Sequence, residues 1–272
     1  MNANLLPANM VLLDRTSISH PYDILYPFAL EELLCRKIGK GGQPVAHFWR
    51  HPKAFVIGLR DSRLPHAGEA NSWLHANGYK TAVRNSGGAA VPLDLGVVNI
   101  SLLLPRPDGN IDYHKDFELM VTLIQEALLK LTSEVHKGEV AGSFCPGDYD
   151  LSIGGRKFCG IAQRRQQNAL SVQAFVIVEG AGADKADLAK AFYDRAALGG
   201  DPADYPEVLQ DRMASLSECL GQTLKAEDFI HSVREILAGQ GVLADLDETA
   251  MPEEDEIQAM IEQLRNRYKI DS

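Results

Sequence analysis

Residues 149–179 constrain the fold more than any other part of the chain, because their hydrophobic period is that of strands. Three segments, 149–153, 156–163 and 170–178, are rich in Val, Ile and aromatic side chains. The dipeptide at 154–155, between the first two segments, is Gly-Gly. Because both glycines accept positive φ, they predict a two-residue loop that joins those strands into an antiparallel hairpin.

Helical segments flank this run on both sides. Predicted helices cover residues 23–40, 69–77, 112–131, 185–197, 207–220, 227–238 and 253–268. Further strands are predicted at 44–49, 54–59, 80–84 and 97–104. Together they predict an α+β fold: a mixed or antiparallel sheet packed with helices, followed by a helical C-terminal segment.

The chain length predicts one large domain. Its 272 residues are 45% hydrophobic, which suffices for a single large core. The stretch from 245 to 256 is rich in Asp and Glu, which predicts a solvated connector. We therefore expect one domain over residues 1–240, with its motif-bearing core at 45–200. An acidic connector and last helix, residues 241–272, should pack on that domain.

The charge balance restricts the partners. There are 27 basic and 37 acidic residues, a net charge of −10, which argues against a protein built to grip nucleic acid or an anionic membrane. The longest uncharged apolar stretch, residues 95–104, is about half of a bilayer span. The first residues lack the basic group and apolar run of a secretory signal. We expect a soluble, cytoplasmic protein that binds neither nucleic acid nor membrane.

Four cysteines, at 35, 145, 159 and 219, include no C-x-x-C pair and no cluster with histidine. They predict neither a disulfide scaffold nor a metal site. Cys145 differs from the others because Pro-Gly follows it, which places it on a forced turn. Reactive groups concentrate on such loops, although a structural loop cysteine is an equal alternative on these residues alone.

A small-residue loop, Arg-Asn-Ser-Gly-Gly-Ala-Ala-Val at 84–91, lies between two predicted strands. Glycines there let the backbone approach a ligand and aim N–H groups at it. The run is neither G-x-G-x-x-G nor a Walker loop. A tight structural turn is the more common alternative, and Asp94 is interpreted as a turn residue.

The hairpin sets a register for Lys157. If Ile153 pairs with Arg156, then Ser152 lies opposite Lys157, and Asp150 lies opposite Cys159 on the same face as Lys157. Lys157 then has two interpretations that the residues leave open. It forms a salt bridge to Asp150 or to the aspartate at 148, or it lies beside Cys145 and favours the thiolate.

Three motifs in order carry a resemblance to a known family. Residues 84–94 resemble the R-x-S-G-G-G-A-V-x-H-D loop of lipoate- and biotin-ligase-like proteins, and residues 155–164 resemble their G-x-K-x-x-G-x-A-Q-x-R strand. Residues 144–153, Phe-Cys-Pro-Gly-Asp-Tyr-Asp-Leu-Ser-Ile, look like the octanoyl-[glycine cleavage H protein]:protein octanoyltransferases of that superfamily.

This resemblance implies a biotin/lipoate ligase-like catalytic domain and an acyltransferase of the lipoate pathway. An octanoyl group would leave the lipoyl-type lysine of the glycine cleavage H protein, rest on a cysteine as a thioester, and pass to a lysine of an E2 lipoyl domain, without a cofactor. Cys145 matches the acyl-carrying position and Lys157 the lysine that supports it. The acyl and substrate site is expected to include Arg84, Ser86, Gly87, Gly88, Ala89, Gly160 and Ala162.

Departures from the family pattern leave alternatives open. Ala89 replaces the third glycine, and Leu93 stands where the motif has histidine. Residues 170–173, Leu-Ser-Val-Gln, stand where relatives often carry His-Gly, so Lys157 is left to shuttle protons. The alternatives are an octanoyl-acyl carrier protein:protein octanoyltransferase, an ATP-dependent lipoate–protein ligase, and a non-catalytic acyl-protein binding module of the same fold.

The densest basic group in the sequence comprises Arg156, Lys157, Arg164 and Arg165. Lipoyl-type carrier domains are commonly acidic, so this group is predicted to steer their association. A solvated strand face with no such role is the alternative.

Overall fold

A seven-stranded sheet forms the centre of the computed structural model, which describes residues 6–7, 9–17, 22–106, 113–166, 168–242 and 244–270. The strand order is β1-β2-β6-β10-β9-β8-β7. Within the described part of this sheet β1 and β2 pair in parallel and the other neighbouring strands pair antiparallel, so the sheet is mixed. The strands are Val11–Arg15 (β1), Val45–Trp49 (β2), Val97–Pro105 (β6), His136–Lys137 (β7), Leu151–Ile153 (β8), Arg156–Gln166 (β9) and Ala169–Ile177 (β10).

A smaller sheet of three strands, in the order β4-β3-β5, packs nearby. Its strands are Lys53–Ile57 (β3), Lys80–Val83 (β4) and Val91–Asp94 (β5). The predicted strands 44–49 and 54–59 are both confirmed, but they belong to different sheets because the chain crosses over at residues 50–52.

Seven α-helices cover these sheets in the described part of the chain. They are Leu25–Ile38 (α1), Ala67–Ala76 (α2), Tyr113–Leu128 (α3), Gly182–Ala196 (α4), Leu216–Leu220 (α5), Ala226–Gly239 (α6) and Glu254–Arg267 (α7). The first residue of the predicted helix 112–131 lies outside the described residues. None of the helices in the described ranges combines the length and the apolar character that a membrane crossing needs.

The large sheet buries a different cluster on each face. On one face, β6 and β10 present alternate residues such as Val98, Ile100 and Val176 to α3 and α6. On the other face, α1, the small sheet, α2, α4 and α7 share a second cluster that includes Leu103 and Ile177. The site described below lies on this second face, between the large and the small sheet.

Three strands and part of one helix differ from the sequence-based expectation. The sequence predicts none of β1, β5 and β7, and β7 has only two residues. β5 has four residues and contains Pro92, which an edge strand tolerates because that position need not donate to a neighbour. The predicted helix 207–220 is wrong before residue 216. The chain there runs alongside the site, where Leu209 N–H donates to Gly142 O and Ala214 N–H to Lys157 O.

The Gly-Gly hairpin is confirmed, but its register is only partly so. Gly154 and Gly155 adopt φ of 58° and 75°, and Ser152 pairs with Lys157 as predicted. Cys159 pairs with Leu151 and not with Asp150, because a bulge shifts the register between residues 151 and 152. The extra residue turns Cys159 into the cluster beneath α3, on the opposite side from the predicted one.

The last helix packs against the first. Ile257, Met260 and Leu264 of α7 join the cluster that contains α1, and the preceding segment bonds to β1 through Leu246 N–H and Leu12 O. The assignment of residues 1–240 and 241–272 to a domain and its appendage stays a prediction.

Candidate active site

Cys145 lies on a tight turn between β7 and β8, with its backbone in the left-handed region at φ 49°. For a residue with a Cβ, this backbone conformation costs about 1–2 kcal/mol, so surrounding contacts must hold it in place. Cys145 as a residue is 8% exposed, and it lines a cavity. The cysteine is therefore held in place by the fold around it and is accessible from one side.

Two N–H donors from the loop after β4 contact the sulfur. Arg84 Nη2 lies 3.0 Å from Cys145 Sγ, and the Ala89 amide nitrogen lies 3.3 Å from it. The same Arg84 nitrogen donates to Ala89 O at 2.6 Å, which ties the guanidinium to the loop. The sequence predicts that this loop lies at the acyl site; the structure brings it against the sulfur itself.

Gly88 makes that approach feasible. A Cβ at this position would lie 2.0 Å from Arg84 Nη2 and 3.0 Å from Cys145 Sγ, and the residue has φ of 102°. Both facts exclude a larger residue without movement of the guanidinium. Gly87, by contrast, has nothing within 4 Å of an added Cβ. Of the two glycines, Gly88 is the one that the contact requires.

Buried polar contacts support the loop from behind. Ala90 N–H donates to Tyr193 Oη at 3.1 Å, and the Tyr193 hydroxyl donates to Asp61 Oδ2 at 3.1 Å. Asp61 also accepts the Gly58 N–H. Burial raises the pKa of the Asp61 carboxyl and of the Tyr193 hydroxyl. The Ala90 amide is thereby occupied, which leaves that of Ala89 to face the sulfur.

The ammonium group of Lys157 contacts backbone carbonyls of the turn that carries Cys145. Its Nζ donates to Phe144 O at 2.9 Å and to Cys145 O at 2.6 Å, and it pairs with Asp150 Oδ2 at 2.8 Å. The interpretation of Lys157 as a salt-bridge partner of Asp150 is thus confirmed, and both side chains are buried. An ammonium has three donors, so these three contacts account for all of them.

Asp150 closes the other end of the turn. Its carboxylate accepts the Gly147 N–H at 3.1 Å, and its own N–H donates to Gly147 O. Burial raises the pKa of Asp150 to about 6, against the opposing influence of Lys157. The Lys157–Asp150 pair therefore clamps both ends of the segment that presents Cys145.

A cavity of about 260 Å³ opens beside the sulfur. Its walls are largely apolar and come from both sheets, α1 and the start of α3, with Phe28, Val56, Leu93 and Phe117 among them. Asn99, Ser101 and Gln173 add polar groups. Of the predicted site residues, Arg84, Ser86, Gly87, Gly88, Cys145, Gly160 and Ala162 line it, while Ala89 and Lys157 contact Cys145 from behind.

Gly160 allows one wall of this cavity to pack closely. A Cβ there would lie 2.5 Å from the Phe175 ring. That ring stacks on Phe144 at a centroid distance of 5.7 Å, and Lys157 Nζ lies 5.6 Å from its centre. The glycine of the second motif therefore positions the aromatic residue that backs the cysteine turn.

The other three cysteines lie in different surroundings. Burial raises the pKa of the Cys35, Cys159 and Cys219 thiols. The described residues contain no group of three or more His, Cys, Asp or Glu side chains arranged to hold a metal ion.

The predicted basic steering group is not a free surface patch. Lys157 is fully buried. Arg164 donates to Glu32 Oε2 and Asn85 O, both at 2.7 Å, so it joins α1 to the loop after β4. Arg165 pairs with Asp116. Strand position alone did not reveal these partners, because they lie far away in sequence.

Sequence reasoning missed several residues that shape the site. Phe175 and Gln173 of β10 and Tyr193 of α4 carry no local motif, and only their alternation or helical spacing marks them as inward-facing. The buried Glu31 accepts a hydrogen bond from Gln173 Nε2 at 2.6 Å and pairs with the buried His47 at 2.8 Å. A strand pattern predicts burial at such positions, but not what they contact.

Comparison with solved structures first defines the class of fold. A putative lipoate protein ligase from T. acidophilum with bound lipoic acid has a TM-score of 0.67 and 18% identity, with 95% of each chain covered. A lipoate-protein ligase A bound with ATP has a TM-score of 0.67 and 19% identity, with 95% of this chain and 94% of that one covered. The expected lipoate ligase-like α+β fold is confirmed.

Sequence comparison then defines the family. The model of the lipoyl protein ligase A/B catalytic domain matches residues 23–238. An octanoyl-[GcvH]:protein N-octanoyltransferase from Anoxybacillus flavithermus is 40% identical over 232 residues, 85% of this chain and 84% of the relative. One from Exiguobacterium sibiricum is 42% identical over 219 residues, 80% and 79% of the two chains. The chain belongs to the lipoyl protein ligase A/B catalytic domain family and, within it, to the octanoyl-[GcvH]:protein N-octanoyltransferases, which are acyltransferases.

Proposed function

We propose that this enzyme moves an octanoyl group from the lysine of the glycine cleavage H protein to the lysine of an E2 lipoyl domain, with Cys145 as the intermediate carrier. The observation that carries the proposal is the position of Cys145. Its sulfur lies at a mostly apolar cavity and accepts N–H donors from Arg84 and Ala89. The names of the relatives support the octanoyl group and the H-protein donor.

In the first half-reaction, the Cys145 thiolate attacks the carbonyl carbon of the octanoyl amide. A C–S bond forms, and the carbonyl oxygen takes the negative charge of the tetrahedral intermediate. The C–N bond then breaks, and the donor lysine nitrogen takes up one proton and leaves as an amine. The octanoyl group remains as a thioester.

In the second half-reaction, the acceptor lysine amine attacks the thioester carbon. Its nitrogen loses one proton, the C–S bond breaks, and the sulfur leaves as a thiolate. The proton that the donor nitrogen gained equals the one that the acceptor nitrogen lost. Since one amide is broken and one is formed, the exchange consumes no nucleotide.

The protein lowers the barrier by its fixed polar groups. The Ala89 and Arg84 N–H groups contact the sulfur in the free enzyme, so they lie next to any carbonyl bonded to that sulfur. There they donate hydrogen bonds to the oxyanion of the tetrahedral intermediate. The cavity takes up the hydrocarbon chain, whose transfer from water contributes about 0.8 kcal/mol for each buried CH₂. Lys157 supports the centre by holding the carbonyls of Phe144 and Cys145.

The direct test mixes purified enzyme with octanoyl-H-protein, without nucleotide, and measures intact mass followed by peptide mapping. We expect one octanoyl adduct on Cys145 that disappears when an unmodified lipoyl domain is added. Cys159→Ala serves as the control, since Cys159 lies fully buried on the other face of the sheet. An adduct on a different residue, or full transfer by Cys145→Ala, contradicts the thioester route.

A nucleotide requirement separates the proposal from the ligase alternative. Transfer from octanoyl-H-protein should proceed at the same rate with and without ATP and Mg²⁺. Modification of a lipoyl domain that strictly requires ATP and free octanoate indicates a ligase instead. Octanoyl-acyl carrier protein, offered at the same concentration as octanoyl-H-protein, tests the remaining donor.

A further inference from the structure

We propose that Trp49 closes the inner end of the cavity beside Cys145 and sets the longest acyl chain that the enzyme transfers. The inference deepens the proposed function, since it rests on an octanoyl group carried by Cys145. It assigns a specificity-determining residue that meets the methyl end of the chain, at the opposite end of the cavity from the reacting sulfur.

The floor of the cavity is a row of residues that crosses the large sheet. Four residues that pair with one another on neighbouring strands all line it: Gly160 on β9, Phe175 on β10, Asn99 on β6 and Trp49 on β2. Neighbouring strands lie about 4.8 Å apart, so this row covers about 14 Å from β9 to β2. The cavity therefore extends across the sheet, and not only along one strand.

Cys145 lies at the β9 end of this row. The turn that carries it packs against Phe175, whose ring stacks on that of Phe144 at a centroid distance of 5.7 Å. Lys157 of β9 donates to the carbonyl oxygen of Cys145 at 2.6 Å. An acyl chain bonded to the sulfur therefore enters the cavity at β9 and β10, and its methyl end extends toward β6 and β2.

Trp49 forms the wall at the other end. The residue is 4% exposed, and its ring packs edge to face on Phe28 of α1 with the ring centroids 5.8 Å apart. Val56 and Leu93 line the same cavity from the small sheet. Because these side chains belong to one packed cluster, a chain longer than the row has to displace an aromatic ring of the core.

Polar side chains close the cavity in the direction along the strands. The next row places Ala162, Gln173 and Ser101 beside the first one, and these residues line the cavity as well. Gln173 Nε2 donates to the buried Glu31 at 2.6 Å, and Glu31 pairs with the buried His47 at 2.8 Å. An alkyl chain cannot replace these buried hydrogen bonds, so the apolar path toward β2 is favoured.

The test compares kcat/KM for transfer from H protein that carries hexanoyl, octanoyl, decanoyl or dodecanoyl groups. The wild type should prefer octanoyl and lose activity with the two longer chains. Trp49→Leu removes most of the end wall and should raise the decanoyl-to-octanoyl ratio about tenfold, since each newly buried CH₂ improves binding about fourfold. Trp49→Phe should fall between Trp49→Leu and the wild type.

Phe117→Leu is the matched control. Phe117 also lines the cavity, but it is only half-buried and stacks on Tyr149 at a centroid distance of 4.4 Å. Its decanoyl-to-octanoyl ratio should match that of the wild type, because its truncation does not lengthen the inner end. An unchanged ratio in folded Trp49→Leu, or an equal rise in Phe117→Leu, overturns the proposal.

A measurement with the native end wall covers the case in which the Trp49 variants do not fold. The chain has two tryptophans, so Trp73→Phe, on α2 against Arg195, leaves Trp49 as the fluorescent one. Free 8-bromooctanoate should quench its fluorescence more than free 4-bromooctanoate, because bromine quenches only at close contact. Quenching that is absent, equal or stronger with the 4-bromo acid contradicts the proposal. No transfer occurs in this measurement, so its result is separable from a failure of the octanoyl-transfer test.

Discussion

Cys145 and Cys159 both lie near the Lys157–Asp150 pair, yet their surroundings are opposite. Cys159 is fully buried under α3, where burial raises the pKa of its thiol far above the usual value, and it pairs with Leu151 in the strand ladder. Cys145 lies on a strained turn with φ of 49° and receives N–H donors from Arg84 and Ala89 at the edge of a cavity.

The comparison teaches that a nearby cation does not by itself make a thiol reactive. The sheet separates the two sulfurs, because the bulge in the hairpin turns Cys159 toward one cluster while the turn directs Cys145 to the other. What distinguishes Cys145 is the set of donors aimed at its sulfur, together with an open side that a substrate can reach.

The largest effect on octanoyl transfer is expected when the sulfur of Cys145 is removed. Cys145→Ser should reduce octanoyl transfer more than about a thousandfold, because the carrier of the acyl group is lost. Its thermal midpoint should stay near that of the wild type, since only the sulfur changes. Transfer between octanoyl-H-protein and a lipoyl domain, followed by mass spectrometry, measures the effect.

The Cys159→Ala control should keep transfer within about twofold and lower the free energy of unfolding by about 1 kcal/mol. A larger loss of transfer in Cys159→Ala than in Cys145→Ser would reverse the roles of the two thiols.

A smaller effect on octanoyl transfer is expected when the N–H donors that contact the Cys145 sulfur are displaced. Gly88→Ala places a Cβ 2.0 Å from Arg84 Nη2 and 3.0 Å from the sulfur, so the guanidinium must shift. We expect transfer to slow by about tenfold to a hundredfold, which is the range for misplaced catalytic groups. Gly87→Ala, whose added Cβ meets nothing within 4 Å, should slow it much less. Equal losses in the two variants would show that loop flexibility, and not donor position, matters.

A change in the packing of Phe175 behind the Cys145 turn should affect the free energy of unfolding more than the rate of octanoyl transfer. Gly160→Ala brings a Cβ within 2.5 Å of Phe175, so the ring must move against Phe144. The free energy of unfolding in urea should fall by about 1–3 kcal/mol. As a control, Gly239→Ala at the end of α6 meets nothing within 4 Å and should stabilise by about 0.5 kcal/mol through the unfolded chain. Unchanged stability in Gly160→Ala would mean that Phe175 has room to relax.

The smallest expected effect concerns pH. Because burial raises the pKa of Asp150 to about 6, the folded state binds more protons than the unfolded chain between pH ~4 and ~6. Over that window this carboxyl makes stability fall as pH rises. The stability advantage of the wild type over Asp150→Asn should therefore shrink, by up to about 2 kcal/mol, between pH ~4 and ~7. Urea unfolding at several pH values measures it, and an advantage that grows would show that Lys157 outweighs burial.

Elements with a local signal were predicted well from the sequence. The Gly-Gly hairpin, the helices at α1, α3, α6 and α7, and the α+β class all follow from period and turn chemistry. The ordered motifs at 84–94, 144–153 and 155–164 also identified the family that the comparisons show. Short elements such as β1 and β5 were missed, because four or five residues carry too little periodicity to stand out.

By itself, the sequence determined that Cys145 lies on a forced turn, since Pro-Gly after a cysteine restricts the backbone locally. Only the tertiary structure decided which cation meets the sulfur. Arg84 and Cys145 are 61 residues apart, and Arg164 and Glu32 are 132 apart, so neither pairing leaves a trace in local patterning. A single-residue bulge likewise places Cys159 on the face of the sheet opposite to the one that the sequence predicts. Such contacts depend on how whole elements pack, whereas turn and strand preferences depend on a few adjacent residues.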